Sequence, residues 1–437
     1  MNEPIFIARQ DTLEQEILPA HWLAQYKLFG EESYTFQDKG IWKKLCMSRA
    51  AANDRDIHAE ALEEMLTTFS AEHTGKWMLT VYGMDAAALE GLATMAAIAA
   101  NGTAMAAVAA NALLMHAIAN SETAMQRIAN SQTAMQRVAN NRGAMDAIGR
   151  SRIARDAVQA SPYYNSYIKE NDMAIAKLAV ALANLESAGY SGMAGVAADS
   201  TAMTAVAASA TAMTAVAESA TAMTAVAASS VARNAISASL YYDEKIKEND
   251  MAIAKLVVGF ANLASANYSS MAGVVADATA MTAVAASSTA MTAVAASGVA
   301  LKAIAQAYKK TANMLQFLKA VNASDTLVKR IYSTLTGATG LFGATQLGSQ
   351  DGVESANSWA TTSAAPNAFL ACACGYYSSG GSSVNVTYNG TVIAQNKTGA
   401  KQPGSVTSTN VNAITMAPST FTENGDGWLA VQKFTAK

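Results

Sequence analysis

The four histidines are the residues of this 437-residue chain best suited to acid–base or metal chemistry, and they are scattered along it: His21, His58, His73 and His116. His58 and Glu60 form a His-x-Glu pair of the kind that zinc deaminases use, but the Pro-Cys-x-x-Cys partner motif is missing. His116 occupies a variable place in a repeated unit. We therefore predict no metal or catalytic role for these histidines.

Carboxylates are few in the C-terminal region, where the set is Asp351, Glu354, Glu423 and Asp426. Enzymes that cleave glycans present paired carboxylates in a groove, and this sparse set does not predict such a pair. Glu423, Asn424 and Asp426 have side chains that bind calcium, but the same residue types favour a turn. The sequence predicts no enzyme, no cofactor and no metal site.

Composition narrows the classes of partner. Only 14% of the residues are charged, the net charge is −3, and 51% of the residues are hydrophobic. The near-neutral net charge argues against a nucleic-acid partner. The chain is long enough for about two to four domains. Cys46, Cys372 and Cys374 do not predict a disulfide framework. The segment Met1–Asp11 has no basic start followed by an apolar stretch, so it predicts no secretory signal.

A ten-residue unit repeats along the middle of the chain, with Met in its fifth place and Val or Ile in its eighth. In the unit Ser209–Glu218, helix formers place Met213 and Val216 on one helical face, together with Ala212 and Ala217. One continuous helix would wind this apolar stripe around its axis, because ten residues at roughly 100° each fall about 80° short of three turns. We therefore predict short helices of about two turns, joined by Ser, Asn or Ala turns and stacked into a solenoid.

The methionines of the repeats form the predicted core of this solenoid. They are Met95, Met105, Met115, Met125, Met135, Met145, Met193, Met203, Met213, Met223, Met271, Met281 and Met291. The closing unit of each array lacks the methionine and is predicted to cap the stack. The run Gly91–Ser121 is uncharged and long enough for a membrane span, but it stays in phase with the repeat and is broken by Asn, so we predict no span.

Composition changes divide the chain into six regions. The element Tyr163–Leu178, which follows the first array, returns as Tyr241–Leu256 after the second, so a large module is duplicated. The predicted regions are an N-terminal helical or mixed attachment domain at 1–85, repeat array 1 at 86–160, a helical module with array 2 at 161–237, its duplicate with array 3 at 238–306, a helical connector at 307–335, and a C-terminal β domain at 336–437.

The last hundred or so residues are rich in Gly, Ser, Thr and Asn, and their pattern is typical of strands. Val384–Tyr388 and Thr391–Ala394 flank Asn389-Gly390, which predicts a hairpin with a type I′ turn. Trp428–Phe434 is a predicted final strand, and the region as a whole indicates a small antiparallel β-sandwich. The predicted fold class is mainly α with a β tail.

The decapeptide pattern Ser-x-Thr-Ala-Met-x-Ala-Val-Ala-x, complete at Ser209–Glu218, resembles the repeats of tail-fibre and other virion appendage proteins of tailed bacteriophages. It covers roughly the middle half of the chain, and the order of the regions is similar too. This resemblance implies a structural virion protein, localised to the virion and made in the host cytoplasm. In such a protein a repetitive spacer joins a particle-anchoring N-terminal domain to an outward β domain, and the chain is a homo-oligomer, with a trimer as one possibility.

On this interpretation the N-terminal domain binds other virion proteins and the β domain binds a host-surface glycan or protein. Exposed aromatic residues dominate such contacts, which makes the following residues candidates: Trp359, Tyr376, Tyr377, Tyr388 and Trp428. For Tyr388 and Trp428 a core or cross-strand position is an equally good interpretation. Two other functions fit the same architecture: a non-receptor virion component, such as a collar, whisker or capsid decoration, and a bacterial surface adhesin, which would need an export signal.

Overall fold

The computed structural model describes residues 84–351, 357–361, 367–376, 382–398, 400–401, 405–425 and 427–437, together with single residues between 59 and 82. The chain divides into two compact units, Met1–Ala222 and Met223–Lys437, which are described separately. The described part is mostly helical and ends in two β-sheets, as the sequence predicted. Most of the predicted N-terminal attachment domain lies outside the described residues.

Short helices fill the first unit from residue 86 onward. They are α1 (Ala86–Leu89), α2 (Met95–Ala100), α3 (Gly102–Ala110), α4 (Ala112–Ala119), α5 (Glu122–Ala129), α6 (Gln132–Ala139), α7 (Arg142–Arg150), α8 (Arg152–Ala160), α9 (Tyr164–Tyr167), α10 (Asp172–Leu182), α11 (Met193–Ala198), α12 (Ser200–Ala208) and α13 (Ala210–Glu218). Helix α14 (Ala220–Ala228) spans the boundary between the units. The prediction of one short helix per decapeptide is confirmed.

In the decapeptides that follow the first unit of each array, the first residue starts the helix. In α5 the side chain of Ser121 accepts a hydrogen bond from the backbone N–H of Ala124, and in α7 Asn141 accepts one from Ala144. These cap residues have extended backbone angles, with φ −99° and ψ 118° at Ser121. The side chain therefore satisfies an N–H that the helix leaves without a partner, which favours starting a new helix at this point of each repeat.

Helices three apart along the chain pack against each other. In the first array α2 packs on α5, α3 on α6, α4 on α7 and α5 on α8. Consecutive helices bend sharply, by 99° between α3 and α4 and by 104° between α12 and α13. About three helices therefore complete one turn of the stack, so that each helix lies over the third helix before it. The sequence predicted the solenoid but not this number.

Cap serines also tie one turn of the stack to the next. The Ser131 hydroxyl donates to the backbone oxygen of Ala99, thirty-two residues earlier, at 2.6 Å. Ser151 and Ser161 donate in the same way to Ala119 and Ala129, each at 2.5 Å. Each hydroxyl thus accepts a bond within its own turn and donates one to the turn below, and the second bond satisfies a carbonyl at the end of a helix.

The repeat methionines are all buried, with at most 2% of the side chain exposed in any of the thirteen. In the unit Ser209–Glu218 the predicted apolar face is buried as well, since Met213 and Val216 have no exposed surface. Among the described residues no single helix is long and apolar enough to cross a membrane. Three pairs of consecutive helices have the required length and apolar character when taken together, but each pair is bent by roughly a right angle.

Some residues of the N-terminal region pack directly on the first turns of the stack. The Glu63 carboxylate accepts a hydrogen bond from the backbone N–H of Thr123 at 3.1 Å, and the side-chain amide of Asn111 donates to the Tyr82 carbonyl at 3.3 Å. The N–H of Gly75 donates to the carbonyl of Ala93. These contacts join part of region 1–85 to array 1.

The duplicated module preserves its hydrogen bonds as well as its sequence. In the first copy the Glu170 carboxylate accepts the N–H groups of Ala220 and Thr221 at 3.0 and 2.9 Å. In the second copy Glu248 accepts those of Gly298 and Val299, both at 3.1 Å. A carboxylate at a helix N-terminus satisfies free N–H groups and is favoured by the helix dipole. Glu63 makes the same type of contact at the start of α5.

A glycine permits a close helix crossing in each copy of the module, and the two copies place it on opposite helices. A Cβ built on Gly149 of α7 would lie 3.2 Å from the Cβ of Ala181 on α10. At the equivalent positions of the second copy stand Ala227 and Gly259, and a Cβ on Gly259 would lie 2.5 Å from the Ala227 carbonyl oxygen. One partner of each pair is therefore glycine.

Replacing Gly149 by alanine is expected to lower the free energy of unfolding by about 1–3 kcal/mol, because the added methyl group overpacks the crossing. The added methyl group would also lie 2.9 Å from the Ser187 hydroxyl oxygen. The double substitution Gly149→Ala with Ala181→Gly reproduces the arrangement of the second copy and should recover the part of the loss that comes from the contact with Ala181. Gly143→Ala on the same helix is the matched control, because its Cβ would make only an ordinary contact of 3.5 Å with the side-chain oxygen of Asn141. Urea unfolding followed by circular dichroism measures the free energy of unfolding of each variant. An equal loss of this free energy in the single and double variants would contradict the explanation.

The second unit continues with helices and ends in the β domain. Its helices are α15 (Ser230–Ser237), a π-helical turn (Asp243–Lys247), α16 (Asp250–Phe260), α17 (Met271–Ala276), α18 (Ala278–Ala286), α19 (Ser288–Ala296), α20 (Gly298–Gln306), α21 (Thr311–Asn322) and α22 (Asp325–Gly337). The same stacking rule holds, since α16 packs on α19, α17 on α20, α18 on α21 and α19 on α22. The predicted connector 307–335 therefore supplies the last helices of the stack.

In the described part of the C-terminal region, nine strands form two sheets. They are β1 (Phe342–Asp351), β2 (Asn357–Thr361), β3 (Ala368–Tyr376), β4 (Ser382–Tyr388), β5 (Thr391–Thr398), β6 (Ala400–Lys401), β7 (Ala413–Met416), β8 (Ser419–Gly425) and β9 (Gly427–Ala436). One sheet has the order β1-β9-β3-β6, with β7 also paired to β3, and the other β2-β8-β4-β5. All pairs are antiparallel except β3 with the two-residue β6.

The predicted β4–β5 hairpin is present, with Tyr388 opposite Thr391. Its turn residues Asn389 and Gly390 have φ values of 47° and 75°. Positive φ at both central residues is what a type I′ turn requires, and Asn and Gly adopt it at the lowest cost.

Two equivalent aspartates cap helices and should make stability depend on acid pH. Asp199 accepts the N–H groups of Thr201 and Ala202 and the hydroxyl of Tyr190, and Asp277 makes the equivalent bonds with Tyr268. The tyrosine bond, followed by the backbone bonds, lowers the pKa of each aspartate below its ordinary value of 3.8.

Because these folded-state pKa values are lowered, the stabilisation is complete above about pH 4 and is lost as pH falls through the lower folded values. We expect Asp199→Asn combined with Asp277→Asn to weaken the fall in melting temperature between neutral pH and about pH 2, compared with wild type. Thermal unfolding across this range measures the effect. An unchanged pH dependence in the double variant would contradict it.

Candidate functional sites

Tyr388 and Trp428 are buried in the β domain, so the expectation that they contact a partner at the surface is wrong. Neither side chain has any exposed area. Tyr388 follows Val384 and Val386 at every second position of β4, and all three point into the core. The Trp428 ring lies against the backbone of Gly375 on β3, where a Cβ would come within 2.2 Å of the indole nitrogen. Both residues stabilise the fold.

The other aromatic candidates lie within strands or outside the described residues. Trp359 is in β2, opposite Phe421, and Tyr376 is the last residue of β3, opposite Gly427. Tyr377 is outside the described residues. The backbone thus places Trp359 and Tyr376 on strands of different sheets.

The other residues singled out for chemistry do not assemble into a site in the described part of the chain. The His116 ring nitrogen Nε2 lies 3.1 Å from the side-chain amide of Asn120 on the next turn. Cys372 and Cys374 are free thiols and fully buried. Where the side chains are described, no group of three or more His, Cys, Asp or Glu has the spacing of a metal site.

The helical stack and the β domain are joined by a buried amide. Asn322, at the end of α21, is 2% exposed. Its side chain donates to the carbonyl of Ile414 on β7 at 2.7 Å and accepts from the N–H of the same residue at 3.0 Å. The hydroxyl of Tyr332 on α22 donates to the Val406 carbonyl at 2.7 Å. These bonds fix the two last helices against the sheet.

Apolar contacts make the same connection. One hydrophobic core runs from Ile253 of α16 through the methionines of array 3 to Phe434 of β9. Phe317 of α21 lies 6.5 Å from the ring of Phe369 on β3, and Tyr332 meets Phe434 edge to face at 5.6 Å. The end of the stack and the β domain therefore share a core, and the β domain is not attached through a separate linker.

A lysine is buried inside the first module. Lys177 lies in α10, whose residues from Ala174 to Leu182 are all buried, and it has no exposed side-chain area. Its ammonium group pairs with Asp146 of α7 and donates to the carbonyl of Ser187 at 3.1 Å. A buried lysine is a candidate nucleophile, but this one is ion-paired and sealed from solvent, so its role is to hold α7 and α10 together. Sequence reasoning missed it, although a lone lysine in an apolar run is a signal.

A polar pocket of about 280 Å³ opens where the first array meets the first module. Its lining comes from the end of α8, from α9 and from one face of α13. The residues that carry its polar groups are Gln159, Ser161, Tyr164, Asn165, Thr214 and Glu218.

Two hydroxyls and one carboxylate of this pocket present hydrogen-bond acceptors, beside the amides of Gln159 and Asn165 and the phenol of Tyr164. The Ser161 hydroxyl donates to Ala129 and the Thr214 hydroxyl donates to Ala210, so both offer only lone pairs to a ligand. Tyr164 is 9% exposed. Burial, with the charges of Glu218 and Glu170, raises the pKa of Tyr164 to about 12, so the phenol is protonated at neutral pH.

Comparison with known proteins gives no family for this chain: no protein-family model matches it, and no curated protein matches it in sequence.

Proposed function

We propose that this protein is a structural component of a tailed-bacteriophage virion, a fibre or appendage made in the host cytoplasm and carried on the particle. The decapeptide stack is the spacer. Region 1–85 binds other virion proteins, and the β domain 336–437 binds a glycan or protein of the host surface. Copies of the chain associate as a homo-oligomer.

One observation carries the spacer role: the core shared by the end of the stack and the β domain. A solenoid of near-identical turns gains length by adding turns, without new chemistry. Because the last helices pack into the β-domain core, a longer stack would still hold that domain in a fixed orientation. The decapeptide pattern and its resemblance to virion appendage repeats support the assignment to a phage particle.

Imaging of intact particles tests this proposal. We would label region 1–85 and the β domain separately and locate both labels by electron microscopy. A particle-proximal N-terminal label with the β-domain label at a free tip is expected for a receptor-binding fibre. Both labels against other virion proteins would favour a collar, whisker or capsid decoration instead. Absence of the chain from purified particles would refute the proposal.

Host binding is tested on the three remaining aromatic candidates. Trp359→Ala, Tyr376→Ala and Tyr377→Ala are expected to weaken binding of the purified protein to host cells, since aromatic residues supply much of the binding energy where they contact a partner. Val392→Ala removes a half-exposed aliphatic side chain from β5 and is the control. Unchanged binding in all three aromatic variants would remove the receptor role from this part of the β domain.

A further inference from the structure

The pocket around Tyr164 contains a departure from the repeat pattern. Glu218 ends its decapeptide, where the neighbouring units end in Ala208 and Ala228. The glutamate is exposed and lines the pocket. Stacking does not require an acid here, because the other methionine-containing units of arrays 2 and 3 have alanine at this place and those of array 1 have Ala, Asn or Arg. This position therefore serves something other than the solenoid core.

Tyr164 points to a ligand. It is more than nine-tenths buried, it lines the pocket, and the described residues offer its hydroxyl no hydrogen-bond partner. The hydroxyl oxygen is open to the pocket and is not one of the buried polar atoms without a partner, so a group that enters the pocket can form a hydrogen bond with it. Glu218 is the charged residue of the lining, and Ser161 and Thr214 present lone pairs. The complementary ligand is positively charged and rich in N–H donors.

In the second copy of the module the tyrosine has a different electrostatic environment. Tyr242 is the equivalent of Tyr164, and Ala296 stands where the first copy has Glu218. Burial, Asp243 and Glu248 raise the pKa of Tyr242 to about 12, and the positive charge of Arg330 on α22 opposes them. The second copy therefore has no acid at the place of Glu218, and the positive charge that acts on its tyrosine comes from the protein itself.

We propose that the pocket lined by Tyr164 and Glu218 binds a guanidinium group, supplied by an arginine of a partner protein or of a second copy of this chain. A guanidinium has five N–H donors, and it forms paired hydrogen bonds with a carboxylate. Glu218 accepts the paired bonds, while the Tyr164 hydroxyl accepts one more. The site makes this face of the first unit a docking point for a basic side chain.

The first test uses the full-length protein and two small probes in isothermal titration calorimetry. N-acetylarginine amide carries the guanidinium, and N-acetylcitrulline amide is its neutral isostere. We expect the arginine probe to bind one site at least tenfold more tightly than the citrulline probe, with affinity falling as salt is raised. Equal affinities, or no binding of the arginine probe, would overturn the proposal.

Variants locate the site. Glu218→Ala restores the usual repeat residue, so the fold should persist, and the arginine probe should bind at least tenfold more weakly. Tyr164→Phe removes the hydroxyl and should weaken binding several-fold. Glu122→Ala, which removes an exposed glutamate from α5, is the control and should bind as wild type does. Undiminished binding in a folded Glu218→Ala variant would also overturn the proposal.

Sedimentation distinguishes the two sources of the arginine. If a second copy supplies it, Glu218→Ala and added N-acetylarginine amide will both reduce self-association of the wild-type chain. If a partner protein supplies it, self-association will be unchanged although the probe still binds. The particle location of the protein is not involved in either measurement, so this site and the virion role can fail separately.

Discussion

Replacing Asp146 by alanine is expected to lower the free energy of unfolding by about 3–5 kcal/mol, because it leaves the buried Lys177 ammonium without its countercharge. Lys177 has no exposed side-chain area, and Asp146 is 16% exposed. One other contact to the ammonium, from the carbonyl of Ser187, would remain. A dipole does not replace a full charge in this setting, so α7 and α10 should separate at lower urea concentration.

The double variant separates loss of the pair from loss of packing. Asp146→Ala with Lys177→Met removes both charges and keeps an unbranched apolar chain in α10, so it should recover most of the lost stability. Urea unfolding followed at the helical circular-dichroism band provides the free energies. A loss below about 1 kcal/mol in Asp146→Ala would show that the pair does not hold the module together.

Asn322→Ala is expected to lower the free energy of unfolding of the second unit by about 2–6 kcal/mol. The substitution removes the side-chain partners of the N–H and the carbonyl of Ile414 in a buried site, and each unsatisfied group costs about 1–3 kcal/mol. The effect should reach beyond β7, because α21 belongs to the stack and to the β-domain core at once.

Hydrogen exchange measured by mass spectrometry shows how far the effect spreads. In Asn322→Ala the peptides of β3 and β7 and those of α18 and α21 are expected to exchange faster together. Asn234→Ala, an exposed amide on α15, serves as control and should change stability by less than about 0.5 kcal/mol. Faster exchange confined to the strands would mean that the stack and the β domain unfold independently.

The sequence predicted those parts of the fold that depend on neighbours in the chain. Helix formers at Met213 and Val216, and a cap residue at the start of each unit, are local signals, and so is Asn389-Gly390 in the hairpin. Each of these features depends on interactions within a few residues, where the residue types alone favour one conformation.

The remainder depended on contacts between distant residues. The hydroxyl of Ser131 bonds to a carbonyl thirty-two residues away, and no pattern within one decapeptide predicts that distance. Burial of Tyr388 could have been predicted from its alternation with Val384 and Val386 in β4. The pocket brings α9 and α13 together, so Glu218 became recognisable as a site residue only when its position beside Tyr164 was known.

Each group of three decapeptides forms one turn of the spacer. We would insert a second copy of residues 111–140 after residue 140, place spin labels at Ala106→Cys and Thr204→Cys in a Cys46→Ser background, and measure the distance between them. One added turn predicts an increase of about 8–10 Å, the spacing of packed helices. An increase near 45 Å, as for thirty residues of continuous helix, or no increase at all, would contradict the account.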